Sequence, residues 1–453
     1  MAVALDKLTS PRPCQVFQRN DDYLGDIPVS GVIDGGPDAL VQYRLTDGAW
    51  QKADVAGGCF TGIVKDVPVG GPYTLEVRVN GKNTRRIPGL LVGDLWILAG
   101  QSNMDGCAKL VNVEPPNRMV HALYYNETWG IAKDPLCIVV DSIDPVHWPT
   151  QDAVELEKHR QWDHDFREIG ASLGIRFGKD LYKATGVPVG LLVCSHGGTS
   201  LGQWSPKLKF EGGRSLYGSM LRRVNESEGK VAGCLWYQGE SDALGPTQGT
   251  QYKDDFRFLI DSMRADLNNP DMPFIYVQLA PFFSDDAASR DGWNRVQQAQ
   301  LTIEKEMPGL AMVAAIDSTI SDIIHADAVS LRRIGARMAI MARRLRFGED
   351  IPLGPRPAEI GFADGVRTVI RIKYAEVNGK LTSASGIRGF LVEKDGVPCA
   401  IKGCKADGDS VLITLAEPAP NGALLWYGRG INPTVSLKDS AGFAAPVFGP
   451  EVL

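Results

Sequence analysis

Gly93-Asp94-Leu95-Trp96-Ile97-Leu98-Ala99-Gly100-Gln101-Ser102-Asn103-Met104 is the stretch on which the reading of this chain turns. Its first part belongs to the apolar run LVGDLWILAG (91–100), and a polar loop follows at once. A strand half-exposed to water alternates apolar and polar residues. A run without alternation suits a parallel strand buried on both faces. Ser102 then falls at the carboxyl end of a strand, at the start of a helix, where outward-pointing N–H groups favour negative charge.

Three further stretches repeat the pattern. GVPVGLLVCSHGG (186–198), GKVAGCLWYQGE (229–240) and MPFIYVQLAPF (272–282) are apolar runs that end in glycine-rich or polar loops. Between them lie helix-like segments: ASLGIRFGKDLYKAT (171–185), QYKDDFRFLIDSMRADL (251–267), GWNRVQQAQLTIEKEM (292–307) and LRRIGARMAIMARRL (331–345). Strand alternating with helix predicts an α/β domain with a parallel sheet flanked by helices. Ligands of such sheets bind beyond the carboxyl ends of the strands.

The texture differs on either side. IPVSGVIDGG (27–36), ALVQYRL (39–45) and YTLEVRVNG (73–81) alternate between Asp-Gly, Gly-Gly and Asn-Gly turns, which predicts hairpins and a small β-sandwich. Strand-like segments return in TVIRIKYAEV (368–377), GFLVEKDG (389–396), SVLITLAE (410–417) and ALLWYGRG (423–430), after a linker at IPLGPRP (351–357). The expected division is an N-terminal β region over 1–90, a central α/β domain over 91–348 and a C-terminal β region over 349–453. Residues 110–165 break the rhythm. They read as a long irregular stretch carrying Trp129, Trp148, Trp162 and four of the six histidines, either a substrate-facing wall or a loop anchored by its aromatics.

Composition narrows the class. The chain has 453 residues, a length that suits two to four domains, and its 44% hydrophobic and 23% charged content is ordinary for a folded protein. The net charge of −6, without a long Lys or Arg run, argues against nucleic acid or an anionic membrane as partner. No apolar run reaches the roughly 18 residues of a membrane span, and MAVALDKLTSPRPC lacks the apolar core of a signal peptide, so a soluble protein of open location is expected. The eight cysteines are dispersed with no CxxC pair, which argues against a thiolate metal site. Cys399 and Cys404 are close enough in sequence to bridge a hairpin.

Four polar blocks follow the strands or close the domain. Ser102 is the first. Asp322-Ile323-Ile324-His325 is the second: a serine hydroxyl needs a base, and the base needs a carboxylate to fix its tautomer. Gln238-Gly239-Glu240 and His196-Gly197-Gly198-Thr199 are the others. Glycine allows a backbone N–H to approach a substrate oxygen, and glutamine offers a second donor. Such donors are worth about 10²–10³ in rate each. Any one block has an ordinary structural explanation; the four together, in this order, do not.

At these residues the chain resembles the SGNH hydrolase superfamily, and more narrowly the sialate O-acetylesterases and related carbohydrate acetylesterases. GDLWILAGQSNM is similar to their nucleophile block, GVPVGLLVCSHGGT to their glycine block, LWYQGESDA to their third block and DIIH to their last. GGPYTLEVRVNG (70–81) and PTVSLKDSAGFAAPVFGPE (433–451) resemble their flanking β regions. The resemblance implies a flavodoxin-like sheet, Ser102 as nucleophile, His325 as base and Asp322 as the acid that orients it. Glu240 is the alternative acid, because some relatives use the glutamate of that block. It further implies an oxyanion hole from the Ser102 and Gly198 N–H groups and the Gln238 amide. Substrate contacts would come from Gln101, Asn103, His196, Thr199, Trp204 and Glu240. The substrate would be an acetylated carbohydrate, sialic acid or a plant polysaccharide such as xylan, turned over without metal or organic cofactor. Relatives are often exported. His196 departs from the family, which often has tryptophan before the glycine pair. Two rival readings stand beside this one: an α/β-hydrolase elbow at Val193-Cys194-Ser195-His196-Gly197, with Ser195 as nucleophile, and a non-catalytic carbohydrate-binding protein.

Overall fold

The computed structural model describes residues 4–34, 39–284 and 287–453. The glycine pair of the expected turn after Asp34 lies outside the described residues.

The decisive stretch is the end of one 19-residue strand, Lys82–Gly100. Its first half pairs antiparallel with Gly70–Val79 and parallel with Val16–Gln18. Its second half pairs parallel with Val189–Val193 on one side and Gly233–Tyr237 on the other. The strand therefore passes through residue 90 without a break and carries the chain from the N-terminal β region into the central sheet.

That sheet runs, in spatial order, Trp129–Ile131, Val120–Leu123, Val189–Val193, Lys82–Gly100, Gly233–Tyr237, Phe274–Gln278 and Leu310–Ala314. The first strand is antiparallel to its neighbour, and the pairings from Val120–Leu123 to Leu310–Ala314 are parallel. After the Lys82–Gly100 strand the chain builds one side of the sheet, then crosses to build the other. The carboxyl end of that strand is thus a topological switch point, where a crevice opens.

Burial on both faces explains the apolar runs. Trp96 meets Phe177 of helix Gly174–Thr185 edge-on at 5.2 Å. Trp236 lies opposite Ala99 in the register and so points to the other face from Trp96. There it meets Phe256 of helix Tyr252–Asp266 at 5.9 Å. Helices Ala287–Glu306 and Ala328–Phe347 complete the flanking layers. The result is a mixed α/β architecture with a central mixed sheet and helices around it.

The N-terminal strands enclose a core of their own around Ile27, Val41, Phe60 and Val77. The C-terminal strands form two four-stranded antiparallel sheets that share the main core through Ile370, Val392 and Leu425. Gln278 ties them down: its side chain exchanges two 2.9 Å bonds with the Val447 backbone. The eight cysteines are free, Cys399 and Cys404 included.

Residues 110–165 are more ordered than the sequence suggests. They add the strands Val120–Leu123 and Trp129–Ile131 to the sheet and contain helix Ala153–Phe166, capped by Asp152. Of that helix only Leu156 and Asp163 are buried, so no apolar stripe announced it. Trp129 is buried and Trp148 donates to the Ser142 carbonyl, whereas Trp162 stands exposed.

Gly100 shows how tightly the sheet is drawn at the switch point. Its φ is +131°, and a β-carbon there would lie 2.1 Å from the Tyr237 carbonyl oxygen. Gly186, at φ +71°, has open space around it. Gly100→Ala is expected to destabilise the fold by about 3 kcal/mol or more. Gly186→Ala should cost only the roughly 1–2 kcal/mol of left-handed backbone. Urea melts of both variants check this; equal midpoints would contradict it.

Candidate active site

Ser102 opens the short helix Ser102–Asp105 directly beyond Gly100 and is partly exposed. Its Oγ lies 3.0 Å from His325 Nε2, and His325 Nδ1 lies 2.7 Å from Asp322 Oδ2. Asp322 also folds the loop that carries the histidine. Its Oδ1 accepts the N–H groups of Ile324 and His325, each at 2.7 Å. One carboxylate thereby fixes backbone and ring together. Burial pulls the Asp322 carboxyl upward, but those two N–H groups and the His325 ring outweigh it and hold its pKa below the ordinary range. A hydroxyl, an imidazole and a carboxylate in this order can move a proton off the serine.

Asn103 holds the two halves of the site together. Its Oδ1 accepts the Ala326 N–H at 3.0 Å, and its Nδ2 donates to Glu240 Oε1 at 2.8 Å and to the Ile324 carbonyl. Asn103 is buried and spends its polar atoms inside the protein, so it is not positioned to touch a substrate. The same correction applies to three other residues expected there. Gln101 is buried and accepts the Ser241 N–H. Trp204 is fully buried, donates to Thr199 Oγ1 at 3.0 Å and packs edge-on against Trp236. Glu240 is buried on Asn103, and burial raises its pKa against the pull of that amide. The contact with His325 Nδ1 belongs to Asp322, not to Glu240.

The glycine block is brought in by the sheet. The His196 N–H donates to the Gly100 carbonyl at 2.9 Å, which extends the pairing past the strand and lays Gly197 against the serine. A β-carbon on Gly197 would lie 3.6 Å from Ser102 Cβ and 3.3 Å from Asp105 Oδ2. Gly198 has φ +69° and nothing within 4 Å of where a β-carbon would stand, so its surroundings are open. Gln238 does not reach this opening as a donor. Its Nε2 donates to the Thr199 carbonyl and to Asp242, which uses both amide hydrogens to hold the loops together. Thr199 and His196 line a cleft of about 190 Å³ beside the glycine loop.

Ser195 is fully buried, and its hydroxyl meets Cys137 Sγ rather than an imidazole. Its φ is not positive, so the chain forms no nucleophile elbow there. The rival α/β-hydrolase reading fails on both counts. The pure binding-protein reading leaves the Ser102–His325–Asp322 alignment without purpose. Among the described residues, no group of three or more His, Cys, Asp or Glu is placed to hold a metal ion, and no helix is long and apolar enough to cross a membrane.

Two residues near the site were not legible in the sequence. His147, in the irregular stretch, lies behind His196 with their Nδ1 atoms 2.9 Å apart. Asp105 sits one turn after Ser102 with its Oδ1 enclosed and unpartnered among the described residues. A lone Asp in a loop and a lone His in a loop carry no pattern that would have found them.

The chain is similar to known carbohydrate esterases. The family model described as carbohydrate esterase, sialic acid-specific acetylesterase, matches residues 92–344, more than half of the chain. A protein of Arabidopsis thaliana named a probable carbohydrate esterase is 27% identical over 266 residues, 54% of this chain and 88% of that one. The human sialate O-acetylesterase is 26% identical over 396 residues, 76% of this chain and 73% of the human protein. Among solved structures, a carbohydrate acetylesterase of Xanthomonas citri shares the fold over 98% of this chain and 99% of its own, with a TM-score of 0.70 at 22% identity.

Burial raises the Asp105 pKa to about 7, against the pull of the Ser195 hydroxyl, Arg167 and the Gly197 N–H. Unfolded, the carboxyl titrates at about 3.9. Between those values the unfolded chain has released a proton that the folded chain keeps, so this group lowers stability as pH rises through the window and no further above it. Asp105→Asn is therefore expected to melt higher than the wild type. The margin should be absent near the low end of the window, grow up to about pH 7 and stay constant beyond. Melting temperatures across this range check it; a margin independent of pH would contradict it.

Proposed function

Since the chain belongs to the carbohydrate esterase family of sialic acid-specific acetylesterases, we propose that it hydrolyses O-acetyl esters on sugars through an acetyl-enzyme formed on Ser102. The observation that carries this reading is the unbroken alignment of Ser102 Oγ, His325 and Asp322 at 3.0 and 2.7 Å, at the switch point of the sheet.

His325 Nε2 takes the Ser102 proton as Oγ attacks the acetyl carbonyl carbon. The tetrahedral oxyanion faces the Ser102 and Gly198 N–H groups. On collapse the bond to the sugar oxygen breaks, and His325 returns its proton to that oxygen. A water molecule, deprotonated by the same ring, then attacks the acetyl carbonyl carbon; the bond to Ser102 Oγ breaks, His325 returns the proton to Oγ, and acetate leaves. Asp322 holds the ring in the tautomer that keeps Nε2 bare and stabilises the cation it becomes. Glu240 has no direct part; it supports Asn103, which joins the nucleophile loop to the histidine loop. Gln238 is left out of the oxyanion hole, and Thr199, buried with its hydroxyl given to the His196 carbonyl, braces the glycine loop.

The catalytic unit is residues 91–348, with a flavodoxin-like sheet order, flanked by β regions at 1–90 and 349–453. Acetylated sialic acid and acetylated plant polysaccharide such as xylan both fit the family. The relatives' names favour a sugar over a lipid or peptide ester.

Hydrolysis of p-nitrophenyl acetate by the purified protein tests the reading. Ser102→Ala should lose on the order of 10⁶ in kcat with the fold retained by circular dichroism, and His325→Ala should be nearly as low. Asp322→Asn should lose about 10⁴, because the ring settles in the wrong tautomer. Glu240→Gln should lose far less, since its neutral amide still accepts from Asn103. Full activity in Ser102→Ala would overturn the assignment. A larger loss in Glu240→Gln than in Asp322→Asn would exchange the two acids.

A further inference from the structure

Behind the glycine loop runs a chain of hydrogen bonds that the serine and its base do not use. His196 Nδ1 lies 2.9 Å from His147 Nδ1, His147 Nε2 lies 3.2 Å from Ser219 Oγ, and Ser219 Oγ lies 2.6 Å from Asp144 Oδ2. Arg222 closes the chain with Nε and Nη2 on the Asp144 carboxylate, at 2.9 and 2.8 Å.

Each proton along it can be placed. A carboxylate held by a guanidinium only accepts, so Ser219 gives its single hydrogen to Asp144. Ser219 Oγ can then only accept from His147, whose Nε2 therefore carries hydrogen. His147 is 1% exposed, and burial, together with His196 and the Arg223 and Arg222 guanidiniums, holds its pKa far below the ordinary range. It is neutral, and its Nδ1 is bare. Two ring nitrogens at 2.9 Å share one hydrogen, so His196 Nδ1 donates it. His196 is kept neutral by burial as well. Its Nε2 is thus a bare acceptor, on a residue that lines the cleft and directly precedes Gly197, where a β-carbon would lie 3.6 Å from Ser102 Cβ.

The cleft itself suits one sugar ring. At about 190 Å³ it is smaller than the roughly 300–1,000 Å³ clefts that take larger ligands. Leu208 and Leu216 give it an apolar side for ring C–H groups, while Glu211 and Arg214 offer an acceptor and a donor of opposite charge. That balance fits neutral hydroxyls.

We propose that His196 Nε2 accepts the hydrogen of a free sugar hydroxyl neighbouring the scissile ester, so that the enzyme selects neutral, partly acetylated sugars over esters lacking such a donor. The chain Asp144–Ser219–His147 positions His196 for this by fixing its tautomer. The inference rests on the esterase reading above and deepens it.

The test compares kcat/KM for methyl 3-O-acetyl-β-xylopyranoside with that for the same ester whose other hydroxyls are methyl ethers. The two keep the ring and the ester and differ in the donor. The wild type should prefer the free-hydroxyl probe by about ten- to a hundredfold, the size expected when a buried acceptor is left unpaired. His196→Phe should bring the ratio near one. His196→Gln, whose amide oxygen can stand in for Nε2, should restore part of it. Ser219→Ala should lower the ratio, because His147 is then free to change tautomer. A wild-type ratio near one, or a ratio that survives in His196→Phe, overturns the inference. So does an equal loss on both probes in His196→Phe and His196→Gln, which marks a structural role. If the wild type turns over p-nitrophenyl acetate without preferring the free-hydroxyl probe, only this inference falls. If it hydrolyses none of the three esters, the esterase reading falls with it.

Discussion

A single strand, Lys82–Gly100, sets the terms for the rest of the molecule. It is long enough to belong to two sheets, and both of its parallel neighbours in the central sheet end in loops that converge on its last residue. Gly100 is pinned there: the Gln101 N–H donates to the Tyr237 carbonyl at 2.9 Å, and the Gly100 carbonyl accepts from His196. A backbone held on both sides has no freedom to move the serine that follows. The precision of the site is therefore a property of the sheet, inherited by Ser102 through two peptide units.

The histidine arrives differently. His325 lies 223 residues further along, on an exposed turn rather than a strand. Such a turn would wander if only its own hydrogen bonds held it. One carboxylate and one carboxamide prevent that. Asp322 ties the turn to itself, and Asn103 ties it to the loop that carries Ser102. Asn103 also takes up Glu240, so three loops share one buried side chain. Burial of a polar group is costly unless its bonds are made, and here they are made between elements that must stay in register.

This division marks what could be read in the sequence. Strands buried on both faces leave continuous apolar runs, so the Lys82–Gly100, Val189–Val193, Gly233–Tyr237 and Phe274–Gln278 strands, and the polar blocks that end them, were legible. The spacing of Asp322 and His325 was legible because both sit on one turn. Side-chain direction was not. Gln101, Asn103, Trp204 and Glu240 stand in the right motifs but point inward, since a motif records which residues gather at a strand end and not which face they turn to solvent. Helix Ala153–Phe166 escaped because a helix that buries two residues has no apolar period. His147 escaped because its partner lies 49 residues away.

The central claim is that the hydroxyl of Ser102 is the group made nucleophilic by this arrangement. Reaction with a fluorophosphonate, followed by mass mapping of the labelled peptide, tests it most directly, because the reagent records which hydroxyl attacks. Labelling of Ser102 alone, abolished in His325→Ala, is the result this account predicts. Labelling of Ser195, or labelling of Ser102 that persists at the same rate without His325, would contradict it.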